Sequence, residues 1–198
     1  YVAEKTIHAI RNINKDRFII VGGIEWNTPP GLDYIKVYDD ENIIYTFHCY
    51  APHEFTHQQG VLQAGPLYYN RKMPYPTEDI ERYRDYHRLY GYENAYCDID
   101  KMDIEFLRKY LEPAKRFIEK HPDKILWCGE FGTIRHCNIK WRENWMRDMI
   151  TILKEWDIPY SVWNYLSTPN DGNRFSLVDD DTRKILSKRM LKIIQGKV

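Results

Sequence analysis

With 198 residues the chain suits one domain with a sizeable core. Its 29 Lys+Arg balance 29 Asp+Glu, so no net field draws it to nucleic acid or to a membrane surface, and no run of about 18 apolar residues is present to span a bilayer. The sequence begins at Tyr1 rather than Met, which reads as a cut start, with any targeting segment expected in what came before. Cys49, Cys97, Cys128 and Cys137 lack metal-ligand spacing and are too few for a disulfide scaffold. Cys49 and Cys128 lie in apolar runs and read as packed free thiols. The 16 Tyr and 6 Trp serve a core, but such rings also make flat platforms for sugars, which keeps carbohydrate in view as a ligand.

In chain order, Val2 to Ile13 places Val2, Ile7, Ala9, Ile10 and Ile13 on a helical face. Arg17 to Gly23 is a β-branched run closed by two glycines and predicts a buried strand. Trp26 and Asn27 follow, then the loop Pro29-Pro30-Gly31 and a short helix over Leu32 to Val37. Asn42 to Tyr50 predicts a second strand, ended by Pro52. Residues 51–102 change in texture: prolines 52, 66, 74 and 76 divide a tyrosine-rich stretch in which Glu78 to Tyr90 suits a polar helix. A loop of this length without structure of its own would be unusual, so 51–102 reads as an inserted subdomain, dispensable to the rest, whose tyrosines pack it rather than bind ligand.

Asp103 to Lys120 is amphipathic, and Pro113 should kink or divide it. Lys124 to Gly132 carries an apolar run into Glu130, which stands between Gly129 and Gly132. A Glu at a strand end either caps or salt-bridges locally, or performs the chemistry that α/β barrels place at the carboxyl ends of their strands. Trp141, Trp145, Met149, Ile152 and Trp156 mark one stripe of a helix, Ile158 to Tyr165 predicts a fourth strand, and Asp180 to Gln195 a last helix. Strands alternating with helices imply an α/β protein with parallel pairing. Four such units are half of an eight-fold barrel or a small open sheet. Gly22-Gly23 lacks the GxGxxG pattern and no P-loop occurs, which weighs against a nucleotide site.

The strand ends offer Trp26 and Asn27, then His48 and Tyr50, then Glu130, then Trp163. His48 and Tyr50 are two apart and share a face. A carboxylate with Tyr and His neighbours and an aromatic floor suits cleavage of a glycosidic bond, whose oxocarbenium-like transition state a carboxylate stabilises or attacks.

Phe47-His48-Cys49-Tyr50 with Pro52, Phe55-Thr56-His57-Gln58, Cys128-Gly129-Glu130-Phe131-Gly132 and Val162-Trp163-Asn164-Tyr165, in this order and spacing, resemble glycoside hydrolase family 5, and within it the small endoglucanases with a helical insertion after the sixth strand. The resemblance implies a retaining (β/α)₈ TIM barrel, of which this chain covers about strands five to eight, their helices and the insertion. It implies Glu130 as the nucleophile and His48 and Tyr50 as its catalytic neighbours. Trp163, Trp26, Asn27, Phe55 and His57 are implied as substrate-binding residues, with no metal or organic cofactor. The family's acid/base glutamate lies in an Asn-Glu-Pro-like motif at the end of strand four; no such motif occurs here, and Glu4 falls in the helix after that strand.

Residues 1–198 therefore read as the C-terminal half of a catalytic domain. The implied reaction is cleavage of internal β-1,4-glucosidic bonds in cellulose or β-glucan, outside the cell. A β-mannanase or other β-glycanase, or a carbohydrate-binding fragment without catalysis, are the alternatives. The expected partners are a β-linked polysaccharide and either the N-terminal half of the same barrel or a second copy, to cover the open sheet edges.

Overall fold

The computed structural model describes residues 2–168 and 171–197. Helix α1 (Val2–Ile13) is followed by β1 (Ile19–Gly22), β2 (Ile43–Cys49), α2 (His53–Thr56), α3 (Ala64–Tyr69), α4 (Glu81–Arg88), α5 (Ile104–Tyr110), α6 (Glu112–Lys120), β3 (Ile125–Phe131), α7 (Ile139–Glu155) and α8 (Lys188–Ile194). The strands form one parallel sheet in the order β1-β2-β3. Pro113 divides the 103–120 segment: it stands in the first turn of α6, where its missing N–H costs nothing.

Three expectations change. The 158–165 segment is not a regular strand. Pro159 removes one ladder donor, leaving an isolated parallel bridge between Tyr160 and Cys128 and three backbone hydrogen bonds to β3. The segment still runs alongside β3, with Trp163 N donating to Phe131 O at 2.8 Å. The last helix starts at Lys188 instead of 180, because Asp179 Oδ1 accepts from Thr182 N and Oγ1 and folds 179–184 into a turn. The short helix after β1 is a 3₁₀ turn over Pro29–Tyr34.

Period-two alternation sorts the sheet into two faces. On β2, Ile43, Tyr45, Phe47 and Cys49 point to the helix layer and are buried. Tyr45 packs 5.1 Å from Phe117 of α6, and Cys49 lies against Met149 of α7. The other face carries Ile20, Ile44 and Ile125 in one register row, with Ile20 and Ile125 about half exposed. Cys49 and Cys128 are buried free thiols, and burial pushes the Cys49 thiol up to about 12. Among the described residues no helix is long and apolar enough to cross a membrane.

The 51–102 segment holds α2, α3 and α4, and its interior is continuous with that of the sheet and helices around it. Gln58 clamps Met73 through both backbone groups, and the Tyr75 hydroxyl donates to Asp148 Oδ2 of α7 at 3.0 Å. Tyr75 is 0% exposed, whereas Tyr68 of the same segment is 79% exposed. Tyr75→Ala should therefore cost about 3–5 kcal/mol in urea unfolding, and Tyr68→Ala less than about 0.5 kcal/mol. Equal, small effects would make the segment a detachable rim.

Candidate active site

The site begins with a register shift. Ile44 to Phe47 pair with Ile125 to Cys128, and then His48 pairs with Glu130 and Cys49 with Phe131. Gly129 is the extra residue of this bulge. In a regular strand without the bulge, alternation would send Glu130 into the helix layer; with the bulge, Glu130 joins His48 on the inner face. Only glycine fits there, since a Cβ would lie 2.6 Å from Thr46 Oγ1 and 3.3 Å from His48 Nε2.

Tyr50 OH donates to Glu130 Oε2 at 2.9 Å, and His48 Nδ1 stands 3.5 Å from the same oxygen. Burial, reinforced by the Glu130 charge, raises the Tyr50 pKa, so the phenol keeps its proton and donates it. Burial lowers the His48 pKa against the pull of Glu130. The contact is therefore a long polar one rather than an ion pair at neutral pH. Both neighbours address Oε2, and among the described residues none holds Oε1.

Glu130, Tyr50 and His48 open on a cavity of about 1130 Å³. Trp26 and Asn27 line it from the turn after β1, where Glu25, Trp26 and Asn27 have φ of 54°, 55° and 64°. Three successive non-glycine residues in the left-handed region are uncommon. Asn27 Oδ1 holds the turn by accepting from Gly23 N at 2.8 Å, which leaves Trp26 92% exposed. His57 lines the cavity too, stacked on His53 with ring centroids 4.0 Å apart. Burial, with His53 adding to it, depresses the His57 pKa to about 3.

Phe55 does not reach the cavity. Side chains four apart on a helical turn share a face, so His53 and His57 face the cleft while Phe55 turns into the core against Tyr75 and Trp145, 0% exposed. Trp163 is 44% exposed and is not among the cavity-lining residues. Its carbonyl oxygen would lie 2.0 Å from a Cβ on residue 132, which is why Gly132 stands there.

Sequence reasoning missed a second polar cluster. Glu54, almost fully buried, accepts from Tyr96 OH at 2.9 Å and pairs with His87 Nε2. The tyrosines of 51–102 divide: Tyr75 and Tyr83 pack the core, while Tyr86, Tyr90, Tyr92 and Tyr96 line the cleft. Nothing local in the sequence marks Glu54 and His87 as a pair across 33 positions.

Gly129→Ala should displace Glu130 and destabilise the fold by about 1–3 kcal/mol, read by urea unfolding. His57 supplies a pH test. Between its ordinary 6.5 and about 3 the unfolded chain holds a proton that the folded chain does not. Stability should thus be at its plateau above about 6.5 and fall as pH drops below it, by up to about 1.4 kcal/mol per unit. His57→Phe should flatten that acid limb; an unchanged slope would show that His57 is not its source.

The sequence model described as Cellulase (glycosyl hydrolase family 5) matches residues 1–168. "Endoglucanase C" of Acetivibrio thermocellus is 36% identical over 190 residues, which are 95% of this chain and 53% of that protein. "Endoglucanase 3" of Fibrobacter succinogenes is 24% identical over 188 residues, 90% of this chain and 27% of that one. The chain thus spans about half the length of Endoglucanase C, or less of other relatives. Among solved structures, a hyperthermophilic endo-β-1,4-glucanase in complex with substrate superposes with a TM-score of 0.70 at 21% identity, covering 98% of this chain and 52% of that one. Thermotoga maritima Cel5A in complex with cellobiose gives 0.73 at 20%, covering 97% and 52%. These neighbours imply a (β/α)₈ barrel, to which the three-stranded parallel sheet contributes. The chain belongs to glycosyl hydrolase family 5, the cellulase family.

Proposed function

We propose that this chain supplies the nucleophile half of a retaining glycoside hydrolase that cleaves internal β-1,4-glucosidic bonds in cellulose or β-glucan. The observation that carries the reading is the Tyr50 hydroxyl on Glu130 Oε2, which orients the carboxylate and leaves Oε1 for the anomeric carbon. Oε1 attacks that carbon as the glycosidic C–O bond breaks, giving a covalent glycosyl ester. An acid/base glutamate from outside these residues protonates the leaving oxygen. It then takes a proton from the water that releases the sugar, standing about 5–5.5 Å from Glu130. His48 shares the inner face and hydrogen-bonds a sugar hydroxyl as a neutral imidazole. Trp26, Asn27, His57 and, by resemblance, Trp163 bind the chain of sugars. A polymer of this size does not enter a cell, which places the reaction outside it.

Among the described residues Glu54 is the other carboxylate lining the cleft, and it is engaged by His87 and Tyr96. It is not free to serve as the acid/base group. The sheet also wants covering: the Ile20-Ile44-Ile125 row is open, and Thr46 Oγ1 is buried without a hydrogen-bond partner among the described residues. Four preceding strands of the same barrel would fill that face and bring the missing glutamate.

In the complete barrel, Glu130→Gln should abolish hydrolysis of β-glucan while oligosaccharide binding survives, and azide should rescue Glu130→Gly with formation of an inverted glycosyl azide. Near-normal turnover by Glu130→Gln would remove Glu130 from the mechanism. Running mannan beside glucan separates the β-mannanase alternative. The 198-residue chain by itself should be slower by at least the ~10²–10⁴-fold that general acid help contributes, and light scattering should show it self-associated. A monodisperse, fully active monomer would place the acid/base group within it.

A further inference from the structure

A second concavity of about 530 Å³ adjoins the main cleft, and the two share His87 and Tyr92. Its remaining walls are Gly91, Glu93, Asn94 and Ala95. The ridge between the two hollows is built rigidly. α4 ends in a Schellman motif: Gly91, at φ +79°, donates to Arg88 O at 3.1 Å, and Tyr92 N donates to His87 O at 3.1 Å. That motif brings the Tyr92 ring against His87, with centroids 6.1 Å apart. His87 is fixed from below by Glu54, and Tyr96 completes the clamp. The Tyr92 face stays open, and Glu93 and Asn94 project exposed hydrogen-bonding groups beside it.

A main cleft of about 1130 Å³ already exceeds the ~300–1,000 Å³ of pockets that hold one small ligand. An extended sugar chain lying in it would meet the ridge and the second hollow beyond it. Aromatic faces suit the apolar faces of pyranose rings, and a carboxylate with an amide suits their hydroxyls. We propose that Tyr92, Glu93 and Asn94 form a distal sugar-binding subsite, separated from Glu130 by the His87 ridge and occupied only by longer β-linked oligosaccharides. This rests on the glycosidase reading above and adds where the far end of the substrate lies. Tyr92 is the platform, and Glu93 and Asn94 take hydroxyl groups.

The test uses the complete barrel protein and β-1,4-glucose oligomers from trisaccharide to hexasaccharide. Tyr92→Ala, and separately Glu93→Ala with Asn94→Ala, should lower kcat/KM for the hexasaccharide about tenfold, the equivalent of one good contact at about 1.4 kcal/mol. The trisaccharide should change less than about twofold in the Glu93→Ala with Asn94→Ala variant, whose altered side chains line only the outer hollow, and Tyr92→Phe should keep the preference for long chains. Equal losses at every length, or none at any, overturn the subsite while leaving the glycosidase reading standing. A wild-type protein that turns over no oligomer of any length overturns both, and that result is recognisable before any variant is made.

Discussion

The position of Glu130 depends on one missing methyl group. Gly129 lets β3 carry an extra residue opposite β2, and the close approach of Thr46 Oγ1 leaves no room for a side chain there. From that shift follows the parity of everything after it. Glu130 faces Tyr50 and His48, and Phe131 drops into the helix layer beside Trp145. A bulge is thus what converts an ordinary parallel strand, buried on both faces, into one that presents a charged group inward and still closes its core outward.

The rest of the cleft is arranged by contacts between the sheet and the 51–102 segment. Tyr75 ties that segment to α7 through Asp148, and Glu54 ties α2 to α4 and to Tyr96. Both links are polar pairs in largely buried surroundings, where leaving either partner unsatisfied is more costly than the net gain of making the bond. The aromatic wall is therefore held in place before any ligand arrives, which lowers the ordering cost of binding.

Much of this was legible in the chain, and the failures have physical reasons. Period-two spacing put His48 and Tyr50 on one face, and an apolar run bounded by glycines marked β3. That Glu130 points inward was not readable, because alternation alone gives it the parity of Cys128, and only the bulge reverses this. Phe55 was placed by its neighbourhood in a motif, whereas the helical turn of α2 separates it from His57. The fourth strand lost its regularity to Pro159, and the last helix its first turns to the hydrogen bonds of Asp179. The Glu54–His87 pair joins positions too far apart for any local pattern to reveal.

The stacked histidines carry a consequence for the purity of the site. Two imidazoles four residues apart on a helical turn are a familiar chelating arrangement, and a cleft that displayed one would collect stray divalent ions. His53 and His57, however, lie with ring planes 13° apart and centroids 4.0 Å apart. Their lone pairs lie in those nearly parallel planes, so a cation at the ~2.0–2.1 Å that zinc requires cannot lie in both without breaking the stack. His57 Nδ1 is in addition engaged by Thr56 Oγ1 at 3.0 Å. The stack therefore keeps the two rings from closing together on one cation, and the cleft wall lacks the two-histidine clamp that their spacing would otherwise offer.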